Sequence, residues 1–554
     1  MPRTPSACMM TQPMECHCIS AVELPHTTRL YSTYIQNFSS LAEYHSHPPT
    51  LESVRKVATN LQIDATMRRN VTEVLRKQNE ALGSDASVTA SLDRFAAGAA
   101  VVVTGQQVGL FSGPAYTIYK ALHALRIAND LTAAGTPTVA VFWLATEDHD
   151  LAEINHCYWP TKNGVERLDL ADPGPAFVGK RVGEIPLGDE VAALVERAAG
   201  ALDGPAAADI ALALRESYGT VETYGTAFGK LMARLFKGRG LILIDPLSPE
   251  LHRLAAPVFR AALDQHAEIT RDLIERGKSL EKADYHAQVK VVERSTLLFV
   301  NQDGQRTPLT AHGSDPSLGL TLGERQLSSE EIAALLEKAP ELFSPNALLR
   351  PIVQDTLLGS AAIIAGPAEI AYYAQSSVIY KRLLGRMPVI LPRATFTIVP
   401  PHLVRLLGKY DLNLSDFFEG RQALRKKMER GSVPPELAQQ FDAAEKTLRD
   451  MLEGMRKPIA TLDSTLSGSL ENAESKILYN FTALREKVAR AMAFRSSVLD
   501  GHERQLTELL YHDGALQERS LCLLPMLAAQ GTELLDELLK RIPADATNHQ
   551  VVYL

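Results

Sequence analysis

The stretch VVVTGQQVGLFSGPAYTIYK, residues 101–120, starts as an unbroken apolar run, passes through Gly105, Gly109 and Gly113, and ends in a helical pattern. Continuous apolar character without alternation is what a parallel strand covered on both faces requires. Beyond the glycines, Ile118, Ala121, Leu122, Leu125, Ala128 and Leu131 fall at spacings of three and four, and Gly135 supplies a stop. Pro114 stands where the first helical position is expected, because its missing N–H would have no intrahelical partner there. A second apolar run, TVAVFWLAT from Thr138, completes a strand, helix, strand unit with room for a right-handed crossover.

Three further runs have the same texture: GLILIDP from Gly240, AAIIAGP from Ala361 and PVILPR from Pro388. The fold class expected is α/β, a Rossmann-like parallel-sheet core whose widely separated strands carry inserted segments. TLLFV, NQDG and QRTPL, between residues 289 and 310, read as a hairpin within one insertion. From about Leu403 the pattern turns heptad-like, with Leu437, Phe441, Ala444, Leu448, Met451 and Met455 before Pro458, and Leu462, Leu466, Leu470, Ala473, Ile477 and Phe481 after it. A helical pair or coiled coil follows, with Pro458 as its kink or break. The expected division is a disordered leader over 1–18, a core over 19–400 with insertions at about 157–235 and 280–345, a helical domain over 401–512, and a segment over 513–554 packing back on the core.

Bulk properties narrow the partners. With 554 residues and a formal charge of −8, the chain has no overall basic footprint, so nucleic acid is not favoured. No apolar run approaches the roughly 18 residues of a membrane span, and no secretory signal is legible, so a cytoplasmic protein without a membrane partner is expected. Five cysteines fit reduced thiols, and ECHC at 15–18 has no second Cys/His pair to complete a structural zinc site. A metal requirement is left open.

Open parallel sheets bind ligands beyond the carboxyl ends of their strands. After the first strand, Gly105 and Gly109 let backbone approach a ligand, Gln106 and Gln107 offer amides, and Ser112 and Gly113 lead into a helix start suited to an anion, followed by Tyr116 and Lys120. Lys120 reads equally as a phosphate ligand or an ordinary lysine, and neither G-x-x-x-x-G-K-[ST] nor G-x-G-x-x-G is present. After the second strand, Glu147, Asp148, His149 and Asp150 form EDHD, with Asn155 and His156 beyond; such a group suits a divalent cation, a substrate amine or a general base. His286 lies in DYHAQV, and SPNALLRPIVQD offers Asn346, Arg350, Gln354 and Asp355. Arg350 reads either as a fork for carboxylate or phosphate or as the ion-pair partner of Asp355. In IIAGPAEIAYYAQ the strand, Gly-Pro, helix logic recurs, with Glu369, Tyr372 and Gln375 sharing one face.

Taken together, TGQQVGLFSGPAYTIYK, VFWLATEDHDLAEINH, SPNALLRPIVQD, AGPAEIAYYAQ, PVILPR and the final HQVVYL resemble the BshC family, the cysteine-adding enzymes of bacillithiol biosynthesis. The resemblance implies a Rossmann-like core with connecting-peptide insertions, an α-helical coiled-coil domain that promotes a homodimer, and ADP held between the two. It also implies the last step of bacillithiol synthesis, joining L-cysteine to the amine of glucosaminyl malate. A carboxylate and an amine do not condense in water unless the carboxyl is activated, so ATP or ADP, with magnesium as a candidate, is the expected cofactor, acting through an acyl-adenylate or acyl-phosphate. On this reading Glu147, Asp148, His149, Asp150 and His286 are the catalytic candidates. Substrate would be held by Gln106, Gln107, Ser112, Gly113, Tyr116, Asn155, Asn346, Arg350, Gln354, Asp355, Glu369, Tyr372 and Gln375, and the cofactor by Gly105, Gly109 and Lys120. The alternative is a nucleotide-binding dimeric scaffold without ligase activity.

Overall fold

The computed structural model describes residues 16–162, 164–171, 174–312, 319–431, 433–494 and 497–554. The chain divides into two compact units, one of Cys18–Phe396 with Glu518–Gln550, the other of Thr397–Gln517 with short terminal pieces. Most of the expected leader lies outside the described residues; Cys16–Ser20 form a strand.

The larger unit is built on a five-stranded parallel sheet. Its strands are β1 (Ala100–Gln106), β2 (Thr138–Leu144), β3 (Ile242–Ile244), β4 (Ser360–Ala365) and β5 (Val389–Pro392), in the spatial order β5-β4-β1-β2-β3. These are the five apolar runs of the sequence. β1 and β2 stay in register from Ala100↔Thr138 to Gln106↔Leu144. Val101, Val102 and Val103 are wholly buried, which is worth about 1.5–3 kcal/mol for each such side chain and explains why their run shows no alternation. The chain moves outward from β1 through β2 to β3, then returns to place β4 on the other side of β1, so the strand order reverses between β1 and β4.

Three helices position the site: α1 (Tyr116–Ala133) after β1, α2 (Arg350–Leu358) before β4, and α3 (Pro367–Leu383) after β4. α1 starts two residues later than Pro114 suggests. Its six expected apolar positions are buried, and so are Tyr119, Lys120, His123, Ala124 and Ile127 on other faces, because the helix Leu534–Arg541 also packs on it; Arg126 donates to the carbonyl of Lys540 at 2.9 Å. Between β1 and α1 the backbone passes through Phe111 (φ 51°), Ser112 (φ 76°) and Gly113 (φ 64°). Only the glycine takes this left-handed region freely, and each of the other two costs about 1–2 kcal/mol. Packing holds them: the Phe111 ring lies 4.9 Å from Tyr218 and 5.7 Å from Trp159, and the Cys522 thiol donates to the Phe111 carbonyl at 3.3 Å.

The insertions have structure of their own. His156–Thr161 pairs with Gly164–Asp169 as an antiparallel hairpin, followed by helices Glu190–Gly200, Ala207–Ser217 and Tyr224–Leu235. Ser295–Gln302 pairs with Gln305–Ala311 around an Asp303–Gly304 turn, the hairpin read from NQDG, within a second five-stranded sheet.

In the smaller unit, α4 (Pro435–Leu462) and α5 (Ser467–Phe494) form an antiparallel helical pair. Phe441 meets Phe481 at 5.6 Å, and Arg456 pairs with Glu474 at 2.6 Å. The break falls after Leu462, not at Pro458, which is accommodated inside α4. Asp463 makes the turn by accepting the Thr465 N–H at 2.9 Å and the Thr465 hydroxyl at 2.8 Å. Among the described residues no helix is long and apolar enough to cross a membrane.

Candidate active site

A cavity of ≈ 420 Å³ opens where β1, β2 and β4 end, at the reversal of strand order. β1 ends in Gly105 and Gln106, followed by Gln107; β2 is followed by Ala145 and Asp148; β4 is followed by Gly366. Gly105 is required by the sheet itself, since a Cβ there would lie 2.8 Å from the carbonyl oxygen of Trp143 on β2. The helices add Tyr116 and Lys120 from α1, Arg350 from α2, and Glu369 and Tyr372 from α3.

One wall is acidic. The Gln107 amide donates to Asp148 Oδ2 and to Glu153 Oε2, both at 2.8 Å, which holds the two carboxylates side by side. Burial pushes the Asp148 carboxyl up, but donation from His149, Gln107 and the His149 backbone outweighs it and holds the group well below the usual carboxylate range. Asp148 is therefore ionised at neutral pH, a strong partner for an ammonium and a weak proton acceptor.

Arginines contribute to the same lining. Arg350 donates to Gln354 Oε1 at 2.9 Å and to the Tyr372 hydroxyl at 2.8 Å, both neutral partners. Burial opposes its charge, yet Tyr372, Tyr373 and Glu369 hold its pKa above the ordinary guanidinium value. Arg393 lies over the Tyr116 ring at 5.0 Å and is paired with the buried Glu518 at 2.7 Å. Burial pushes the Tyr116 and Tyr372 phenols up to about 12, so both are neutral hydroxyls at neutral pH.

Lys120 lines the cavity as well. Its ammonium donates to the Gly105 carbonyl at 2.6 Å, to Gln106 Oε1 at 3.3 Å and to Glu369 Oε2 at 2.6 Å, which uses all three of its N–H bonds. Glu369 Oε2 also accepts the Gly366 N–H at 2.7 Å, closing the start of α3. Lys120 is thus a strut between β1 and α3. Burial lowers its pKa against the pull of Glu369.

Other residues singled out in the sequence lie away from the cavity lining. Glu147 is buried, and His252 Nε2 approaches its Oε1 at 3.1 Å. His149 meets Arg306 at 3.1 Å, Asp150 caps the short helix Leu151–Ile154, and His286 is half-buried beside Gln288. Ser112 is fully buried near Cys522, the Gly113 N–H is taken by the Leu110 carbonyl, and a Cβ on Gly109 would lie 3.1 Å from Gly113 Cα. Asn155 contacts His156, Asn346 caps the Leu348 and Leu349 N–H groups, and Gln375 bonds both backbone groups of Val289. Asp355 pairs with Arg386 at 2.8 Å, not with Arg350. Gln354 reaches the site only through Arg350. His156 lies in the hairpin.

The lining residues beyond those expected include one large aromatic and three charged side chains, Trp143, Glu153, Arg393 and Arg519. Arg393 follows β5 directly, so the strand-end rule applied to PVILPR finds it. Arg519 has no local signal in the sequence. Among the described residues no group of three or more His, Cys, Asp or Glu side chains is arranged to hold a metal ion.

Two family descriptions match: the Bacillithiol biosynthesis BshC N-terminal Rossmann-like domain over residues 14–394, and its C-terminal coiled-coil domain over 396–554. The chain belongs to the BshC family. It is 41% identical over 521 residues to a protein of Koribacter versatilis, covering 94% of this chain and 96% of that one. A protein of Solibacter usitatus is 35% identical over 556 residues (97% and 100%), and one of Salinibacter ruber 31% identical over 530 residues (94% and 96%). All three bear the name "Putative cysteine ligase BshC". In this BshC chain the boundary of compactness differs from that of the family description, because Glu518–Gln550 belongs to the Rossmann-like unit.

Proposed function

We propose that this BshC-family chain is an amide-forming ligase that joins the carboxyl of L-cysteine to the amine of glucosaminyl malate, completing bacillithiol. The observation that carries the reading is the set of charges lining the cavity: Asp148 and Glu153, held side by side by Gln107, share the lining with Arg350 and Arg393 at the sheet's switch point. An aminosugar with a dicarboxylate arm presents the complementary pattern. Asp148 and Glu153 hold and orient its amine as the ammonium, which releases a proton to solvent before its nitrogen attacks, and the Arg350 guanidinium, fixed by Tyr372 and Gln354, faces carboxylate. Tyr116 and Tyr372, neutral at neutral pH, donate to oxygens of the bound sugar or acyl group.

An activating nucleotide, when bound, supplies a leaving group on the cysteine carboxyl. The donor set near the cavity suits phosphate through guanidinium groups, not through Lys120, whose donors are spent, nor through the Gly366 N–H, which Glu369 occupies. Magnesium would enter with the nucleotide's phosphates. We also propose a homodimer through the helical pair, supported by the exposed Met451, Met455, Leu462, Ile477, Tyr479 and Leu484.

The test is incubation of purified protein with glucosaminyl malate, L-cysteine, ATP and magnesium, followed by mass spectrometry. Bacillithiol with AMP identifies an adenylating ligase, and with ADP an acyl-phosphate route. Tight binding of nucleotide with no product under any cysteine donor favours a scaffold.

A further inference from the structure

Four cations line the cavity, and three of them are committed. Lys120 is bonded to Gly105, Gln106 and Glu369; Arg350 to Gln354 and Tyr372; Arg393 to Glu518 and the Ala394 carbonyl. Arg519 is exposed and makes no hydrogen bond or ion pair to any described residue, while its charge acts on the Tyr116 phenol inside the cavity.

Its backbone is nonetheless fixed from both sides. The preceding Glu518 is wholly buried, with one oxygen on Arg393 at 2.7 Å and the other accepting the Phe396 N–H at 3.0 Å. Two residues later the Leu521 carbonyl accepts the Ala115 N–H at 2.8 Å, and the Cys522 N–H donates to Tyr158 at 2.9 Å. An ordinary surface arginine needs no such mounting. Holding the main chain in place lowers the ordering cost of any contact the side chain then makes, which is how a preorganised binding group is built.

We infer that Arg519 is a specificity-determining residue that clamps an oxyanion of the ligand bound in the cavity it lines beside Tyr116. Its planar fork with five free N–H groups matches carboxylate or phosphate in bidentate fashion. The ligase reading makes the dicarboxylate arm of glucosaminyl malate the first candidate; the clamp itself requires only an oxyanion. Because Arg519 is exposed, its contribution is screened by salt.

Titration calorimetry on the full chain tests this, comparing wild type with Arg519→Ala and Arg519→Lys. The probes are glucosaminyl malate, methyl glucosaminide lacking carboxylates, ATP and inorganic pyrophosphate. Arg519→Ala should bind glucosaminyl malate at least about tenfold more weakly at low salt, with methyl glucosaminide unaffected and Arg519→Lys intermediate. A loss confined to ATP and pyrophosphate would also support the clamp and assign it to phosphate. If wild type binds pyrophosphate through Arg519 but not glucosaminyl malate, the ligase reading fails and the clamp survives. Unchanged affinity of Arg519→Ala for every oxyanion probe, with an unchanged melting temperature, overturns it.

Discussion

Lys120 and Glu369 meet at 2.6 Å across the junction where strand order reverses, joining the end of β1 to the start of α3. Removing one partner leaves the other charge buried without compensation. Lys120→Met is expected to cost about 3 kcal/mol, the low end for such pairs because Glu369 keeps 23% of its side chain exposed. Chemical denaturation measures this, and a cost below about 1 kcal/mol would show that the strut is dispensable.

Asp148 and Asp150 are neighbours in EDHD with different surroundings. Asp148→Asn should weaken binding of the amine-bearing acceptor about tenfold or more while sparing its N-acetylated analogue, since only the ammonium loses a partner. Asp150→Ala removes a helix cap, so about 1 kcal/mol of stability goes and acceptor affinity stays. Equal effects of the two on acceptor binding would contradict the geometry.

His252 supplies a pH dependence. Burial lowers its pKa, but Glu147 more than offsets this, leaving the folded value above the ordinary 6.5. A raised folded pKa gives stability that is fully present below the unfolded pKa and lost as pH rises through the folded one. The stability advantage of wild type over Glu147→Gln should therefore shrink as pH rises from below the ordinary imidazole value of 6.5 through the raised folded one. Denaturation midpoints across that range check it, and an advantage that grows with pH would reverse the assignment.

Gly113 sits at φ 64° between the strained Ser112 and Pro114. A Cβ there meets nothing closer than 3.7 Å, so the cost of Gly113→Ala is conformational, about 1–3 kcal/mol for a φ of 64° with a ψ of −155° that is essentially glycine's alone. Ser112→Gly should relieve a comparable strain and come out neutral or stabilising. Thermal unfolding of the two variants separates these outcomes.

On the helical pair, Leu462→Glu combined with Tyr479→Glu should shift sedimentation from dimer to monomer, since these side chains are 81% and 74% exposed in a single chain. Unchanged dimer mass would place the interface elsewhere.

The five strands were legible because a sheet covered on both faces tolerates little but apolar residues, so VVVTG or AAIIAGP carries its fold locally. Gln106, Tyr116, Arg350, Glu369 and Tyr372 were legible for a related reason: they lie at or near strand ends, where ligands gather. Direction within a loop was not legible. EDHD gives no sign that Asp148 faces the cavity while Glu147 turns toward a histidine more than a hundred residues away. The proline rule also misplaced the helical break, since a long helix with a packed partner carries Pro458 through.

Arg519 and the helix covering α1 belong to Glu518–Gln550, which follows the whole of Thr397–Gln517. During synthesis the ribosome must therefore finish nearly the entire polypeptide before the cavity gains its last cation and α1 loses its solvent-facing side. A fragment ending at Phe396 would carry all five central strands and still emerge with an exposed apolar helix, a species for chaperones to hold and not a minimal enzyme.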